Sequence, residues 1–218
     1  MFAFLLKTLR IRYMPKDKTE NHEKIIAAAY DEFMEYGFTD ASMRRIAASC
    51  GMSASGLYKH FPGKEEMFAA LVEPAYSGLK QAYGEAASLE INSVDESLKE
   101  TLWDNAEETA WVMNYIYDHY KSFKLLVCKS KGTRFENYVH ELATLEEANT
   151  RKYMDKLRAI GAEVKDVSDK ELHMFVTTCT NAIFLAVEHD LSRKEATVYA
   201  RHLDEFFEAG WGKLFRPE

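Results

Sequence analysis

Four cations, Arg44, Arg45, Lys59 and Lys64, fall in a stretch from Ala41 to Lys64 that contains no Asp or Glu. A local excess of +4 in 24 residues suits a surface that meets a polyanion. The residues between the cations show how they would be held. Residues 42–61 read SMRRIAASCGMSASGLYKHF. Ser42 and Ser53 are good helix N-caps, because their hydroxyls can accept from otherwise unpaired backbone N–H groups. Ile46, Ala47 and Cys50 give the first helix a small apolar face, Gly51 suits a tight turn, and Met52 points inward. Leu57 and Phe61 turn the second helix toward a core. The pattern is helix, turn, helix. The second helix exposes Ala54, Ser55, Gly56, Tyr58, Lys59 and His60. Small residues at its start permit close approach to a major groove. Ser55 can bond a base edge or a phosphate, and Lys59 can reach a guanine or a phosphate. A solvated pair of surface helices would use a similar pattern. Its coincidence with the acid-free window favours nucleic acid.

The elements that position this window read as helices throughout. Ile26, Ala29, Tyr30 and Phe33 share one face of a helix over about 21–36, closed by Gly37. A longer helix starts near Lys64 and meets Pro74, where it either kinks or gives way to a new helix. Ser-x-x-Glu capping boxes at Ser93/Glu96, Ser168/Glu171 and Ser192/Glu195 predict three later helix starts. Gly161 suits the end of a helix beginning near Arg134. The last two helices, about 169–189 and 193–215, carry wide apolar stripes. The first holds Leu172, Phe175, Val176, Cys179, Ile183, Ala186 and Val187; the second holds Tyr199, Leu203, Phe206, Phe207, Gly210 and Leu214. Such helices pair as a hairpin, and two hairpins can join about a two-fold axis. A hairpin packed only on its own core fits the same pattern. β-Branched alternation is absent, so no strands are expected.

Composition sets the limits. The chain has 218 residues, 47% hydrophobic and 29% charged, which are ordinary globular values. Its net charge of −7 is uneven. Residues 1–70 carry 10 Lys and Arg against 9 Asp and Glu, so the remainder carries −8. Cys50, Cys128 and Cys179 are odd in number and far apart, which suits a reducing, cytoplasmic setting rather than a disulfide framework. No stretch approaches the ~20 apolar residues of a membrane span. Residues 1–18 read as an N-terminal extension. The second Met, at 14, makes a start there an alternative, and a short interfacial anchor is another reading of residues 1–13.

Residues of about 21–70 resemble the N-terminal DNA-binding domain of TetR-family bacterial transcriptional regulators. The likeness is carried by IIAAAYDEFMEYGF (25–38), SMRRIAASCGMSASGLYKHF (42–61) and GKEEMF (63–68). It departs from the common pattern at Ser42 and Cys50, where Thr and Ala are more usual. The resemblance implies an all-α fold: a three-helix helix-turn-helix domain over 19–70, then a larger helical ligand-binding and dimerisation domain over 71–218. It implies that Ser42 caps its helix and touches a phosphate, and that Met43 and Arg44 lie at the groove edge. Ser53, Ala54, Ser55, Gly56 and Lys59 then fall in or beside the base-reading region, while Tyr58, His60 and Lys64 grip phosphates. Arg45 is left either as a contact or as a charge paired with a neighbouring acid. Phosphate contacts set affinity and base contacts set sequence choice. With Ala54 and Gly56 lacking reading groups, part of the readout would come from DNA shape or water.

The larger part is less explicit. Residues 103–138 hold 8 aromatics in 36 residues, with Met113, His119 and Cys128 among them. They either line a small-molecule cavity or fill the core. Trp103, Trp111, Tyr115, His119, Phe123, Phe175 and Cys179 are the expected ligand contacts, for an apolar or aromatic effector. Glu107, Glu108 and Asp118 either offer a carboxylate to a cationic one or, as suits such charges better, form a solvated helix face. The chain lacks GxSxG, HExxH, Walker A and GxGxxG motifs, and its histidines are not spaced as a ligand pair. No catalytic residue, cofactor or metal is therefore expected. The expected protein is a homodimeric one-component repressor, joined through its last two helices and released from a palindromic operator by a small molecule. An effector-less DNA-binding protein and a small-molecule binder without DNA affinity are the alternatives.

Overall fold

A computed structural model describes residues 20–94 and 108–215. Among them are nine helices and no strand: α1 Glu20–Asp40, α2 Met43–Ser49, α3 Ala54–His60, α4 Lys64–Ser93, α5 Glu108–Asp118, α6 Tyr120–Lys129, α7 Tyr138–Ala159, α8 Asp169–Glu188 and α9 Arg193–Phe215. The described residues form two compact units. One comprises 20–78 with 119–138, and the other 79–94, 108–118 and 139–215.

The first unit is built on α1. Ile25, Ala29 and Phe33 are fully buried at i, i+4 and i+8, as their spacing requires. Gly37 breaks the regular helix with φ +71°, a conformation that costs glycine least. Beyond it, Phe38 and Phe33 pack on Phe68, with ring centroids 5.7 and 5.1 Å away. Phe68 in turn meets Phe135 at 6.3 Å, and Phe135 meets Tyr76 edge-on. Helix α6 lies against α1 and seals Phe123, Leu125 and Leu126 from solvent. Residues 119–138 thus belong to the compact unit that contains the helix-turn-helix, although they lie beyond the boundary at 70 expected from sequence. Long-range aromatic packing, invisible to local pattern, brings them there.

The second unit has a core of Val94, Ala143, Met154, Leu157, Val167, Leu172, Val176 and Phe215. Both later capping boxes form. Ser168 Oγ accepts from Glu171 N at 3.3 Å, and the Glu171 carboxylate accepts from Ser168 N at 3.2 Å. Ser192 and Glu195 repeat the arrangement. These bonds hold both glutamates below the usual carboxylate range, the serine hydroxyl being the main cause. The box expected at Ser93 does not begin a helix at that residue. Ser93 closes α4 with its hydroxyl on Glu90 O, and Glu96 lies outside the described residues. Helix α4 runs through Pro74 without ending. Helix α7 starts at Tyr138 rather than near Arg134, because 130–137 are taken up by turns. Phe175, expected in a buried stripe, is 45% exposed, and Phe206, on the stripe that the last helix presents, is 72% exposed.

Candidate nucleic-acid interface and cavity

The helix-turn-helix is positioned by its buried side. Ile46, Ala47 and Leu57 are at most 1% exposed, and Phe61 and Met43 only 7%. Gly51 takes φ +67°, and Met52 N donates to Ala47 O at 2.9 Å, which closes the turn. Helix α3 is capped by Ser53, whose Oγ accepts from Gly56 N at 3.1 Å and lies 3.1 Å from Ser55 Oγ. With both contacts made, Ser53 acts first as a cap.

What remains outside is the face the sequence indicated. Arg44, Ser55, Tyr58, Lys59 and His60 are exposed, and Ala54 and Gly56 are half-buried among them. A Cβ on Gly56 would sit 3.2 Å from Ser53 Oγ, so the glycine lets the cap close. Two expectations require correction, and a third residue has partners the sequence did not indicate. Met43 is buried, so its side chain anchors α2 instead of reaching outward. Ser42 stands at the N-cap of α2 in extended backbone, but its hydroxyl makes no cap bond. Lys64 is half-buried: its Nζ donates to Thr39 O at 2.8 Å and Ala41 O at 3.3 Å, over the Phe38 ring. Those carbonyls end α1, where a cation is favoured by unpaired oxygens.

Glu32 is a positioning residue that pattern alone missed. It is 8% exposed. Its Oε1 accepts from Ser42 N at 2.7 Å and from Arg45 Nε at 2.8 Å. Arg45 also donates to Asp40 O and covers the Tyr36 ring at 4.2 Å. The Glu32 bond raises the guanidinium pKa, with burial opposing. Arg45 is therefore the paired charge of the two readings left open. Glu32→Ala removes the acceptor for both donors, so urea unfolding should show a loss of about 1–3 kcal/mol. An unchanged midpoint would remove Glu32 from this role.

The second unit encloses a cavity of about 200 Å³. One face of α4 (Leu79, Tyr83, Ala87, Glu90, Ile91) lines it, with Leu142, Glu146, Asn149, Thr150 and Tyr153 of α7. Helix α8 adds Val176, Cys179, Thr180, Ile183 and Phe184, and α9 adds Asp204, Phe207, Glu208, Trp211 and Phe215. Thr109 and Val112 of α5 complete the lining. Asp204 is already engaged, accepting from Thr109 N and Ala110 N and so capping α5. Among the described residues, Cys179 alone of the expected ligand contacts lines this space. Trp111 and Tyr115 pack on each other with centroids 6.1 Å apart, outside the lining. His119 precedes α6, its carbonyl accepting from Phe123 N. Phe123 is core of the other unit. Phe175 packs edge-on to Trp211 and does not reach the cavity. Trp103 and Glu107 lie outside the described residues. Glu146 and Asn149 were missed, though the signal was there: they share a face of α7 with Leu142 and Tyr153, at −4, +3 and +7 from Glu146. A polar pair inside an otherwise apolar stripe marks a site that excludes water without being purely hydrophobic.

Burial raises Glu146 to about 7 despite a bond from Thr150 Oγ1 at 3.2 Å. Burial, and then the Glu146 charge, push the Cys179 thiol up to about 12. A protonated thiol is a poor nucleophile, so Cys179 serves as an apolar wall. Among the described residues no three His, Cys, Asp or Glu side chains converge as a metal site, and no helix is long and apolar enough to cross a membrane.

A helix-turn-helix whose second helix is exposed and basic, among described residues that hold helices and no strand, defines a helix-turn-helix protein. Residues 25–71 match the family model for bacterial regulatory proteins, tetR family. Over 59 residues it is 37% identical to the HTH-type transcriptional regulator UidR of Escherichia coli (strain K12), a match covering 27% of this chain and 30% of that protein. The chain thus spans under a third of that relative's length. Its fold is like that of the TetR-family regulator PfmR from Thermus thermophilus, with a TM-score of 0.57 at 22% identity over 85% of this chain and 97% of that one. It is also like that of the regulator FadR from Bacillus subtilis solved with stearoyl-CoA, with a TM-score of 0.55 at 14% identity over 87% and 98%.

Proposed function

We propose that the chain is a homodimeric repressor that binds a pseudo-palindromic operator and leaves it when a small molecule fills the cavity. The carrying observation is the exposed, acid-free face of α3, with Ser55, Tyr58, Lys59 and His60 free of the core while Leu57 anchors the helix. Arg44 extends that face onto α2. Two copies would meet half-sites about one helical turn apart, ~34–36 Å, so a small change in spacing abolishes binding. A ligand acts by binding the misspaced state better than the DNA-competent one.

Dimerisation through the last two helices is supported by what they leave uncovered. Met174, Phe175 and Leu185 of α8, with Val198 and Phe206 of α9, are between 37% and 72% exposed. Large apolar side chains clustered on two helices suit an interface. The role proposed for the chain is carried out in the cytoplasm and needs no catalysis.

Lys59→Ala tests the reading. Operator affinity should fall about tenfold or more, and the slope of log affinity against log salt should drop by about one per lost phosphate contact. Thermal melting should not move, since Lys59 is exposed. Operator affinity equal to that of the parent chain would remove Lys59 from the interface.

A further inference from the structure

The cavity in the second unit is lined by charge of one sign and carries an unmet acceptor and an unmet donor. Among the described lining residues there is no Lys, Arg or His, whereas Glu90, Glu146, Asp204 and Glu208 are all acids. Glu146 Oε2 and Asn149 Nδ2 are both out of solvent, and neither has a hydrogen-bond partner. They stand three residues apart on α7, hence side by side. A buried carboxylate oxygen without a donor costs free energy until one is supplied. The surrounding wall is apolar and aromatic, from Tyr83, Phe184 and Trp211 among others.

We infer that this cavity selects an apolar amine, held by a charged hydrogen bond from its ammonium to Glu146 Oε2, and rejects carboxylates and other anions. The inference rests on the reading of this cavity as the effector site. The ammonium supplies the donor that Oε2 lacks, and a charge-assisted bond is roughly twice as strong as a neutral one. An ether, hydroxyl or carbonyl oxygen beside the nitrogen satisfies Asn149 Nδ2. An anionic head group would instead enter a chamber of acids and find no cation. Burial already holds the carboxyl at about 7 in the empty site, so a bound cation keeps it ionised.

The experiment compares three molecules with one tail, 4-phenylbutylamine, 4-phenylbutan-1-ol and 4-phenylbutanoate. Each is titrated calorimetrically into the full chain and into Glu146→Gln at pH 8. The amine should bind at least tenfold more tightly than the carboxylate. Glu146→Gln should weaken the amine at least tenfold and change the alcohol less than twofold, which also shows the variant's cavity to be intact. If amine and alcohol bind alike and the variant changes neither, the amine inference falls while the cavity stands as a ligand site. If the carboxylate binds as well as the amine, the inference falls likewise. If none of the three binds or alters operator affinity, the effector-site reading falls with it.

Discussion

Phe123→Ala will lower the unfolding free energy by about 3–5 kcal/mol and weaken operator binding at temperatures where the parent chain is intact. The ring is fully buried on α6, in the compact unit that contains the helix-turn-helix. Deleting a buried phenyl removes its transfer free energy and leaves a cavity that neighbours only partly fill. Marginal stability of about 5–15 kcal/mol makes such a loss a large share of the whole. The residue lies far from α3 in sequence, yet α6 closes the core on which α1 rests. Urea unfolding, with operator and effector each titrated at the same temperature, separates the two roles considered for this ring. Lost effector affinity at undiminished stability would restore the ligand contact expected from the aromatic cluster. Lost stability with unaltered effector affinity establishes the core role.

The second large effect is a pH dependence centred on Glu146. Its carboxyl titrates near 7 when folded against an ordinary 4.5, because burial penalises the charged form. The folded state therefore binds more protons than the unfolded chain between these values. By linkage, stability falls as pH rises from about 4.5 through about 7, and the group costs roughly 3 kcal/mol above that window. The other titratable groups lining the cavity are Tyr83 and Glu90 of α4, Tyr153 of α7, Cys179 of α8, and Asp204 and Glu208 of α9. No cation among them offsets the charge. Glu146→Gln keeps the shape and removes the ionisation. The variant should be the more stable chain at pH 8, and its urea midpoint should vary less between pH 5 and 8. Parallel profiles for the two proteins would show that Glu146 stays charged and solvated. The same cost explains how an ammonium ligand would act: by pairing with the carboxylate, it stabilises most at the pH where the empty site is weakest.

The order of helices, the turn at Gly51 and the outward face of α3 were legible in the residues themselves. These features are local. Caps, a left-handed glycine and a 3.6-residue apolar period act within a few residues, so Ser53, Gly51 and Leu57 declare their places directly. The capping boxes at Ser168 and Ser192 were readable for the same reason. Met43 was misassigned, and the partners of Lys64 were not foreseen, because a motif gives the position of a residue, not the direction of its side chain. Lys64 is drawn to the carbonyls that end α1, and Met43 to the core beneath α2.

The cavity was a different matter. An aromatic-rich segment shows that large rings must be buried, but not against what. Phe123 joined one core and Trp111 stayed outside the lining, while the lining came from five helices spread over residues 79–215. Such convergence depends on packing between elements far apart in the chain, where no local period carries a signal. The sequence by itself determined that this protein is helical and that residues 42–61 present a basic helix-turn-helix, since both follow from local backbone preference and charge. Only the tertiary structure decided that 119–138 complete the unit holding that motif, and that Glu146 Oε2 and Asn149 Nδ2 are left unsatisfied and out of solvent beside a cavity, since burial and partnership are properties of neighbours in space.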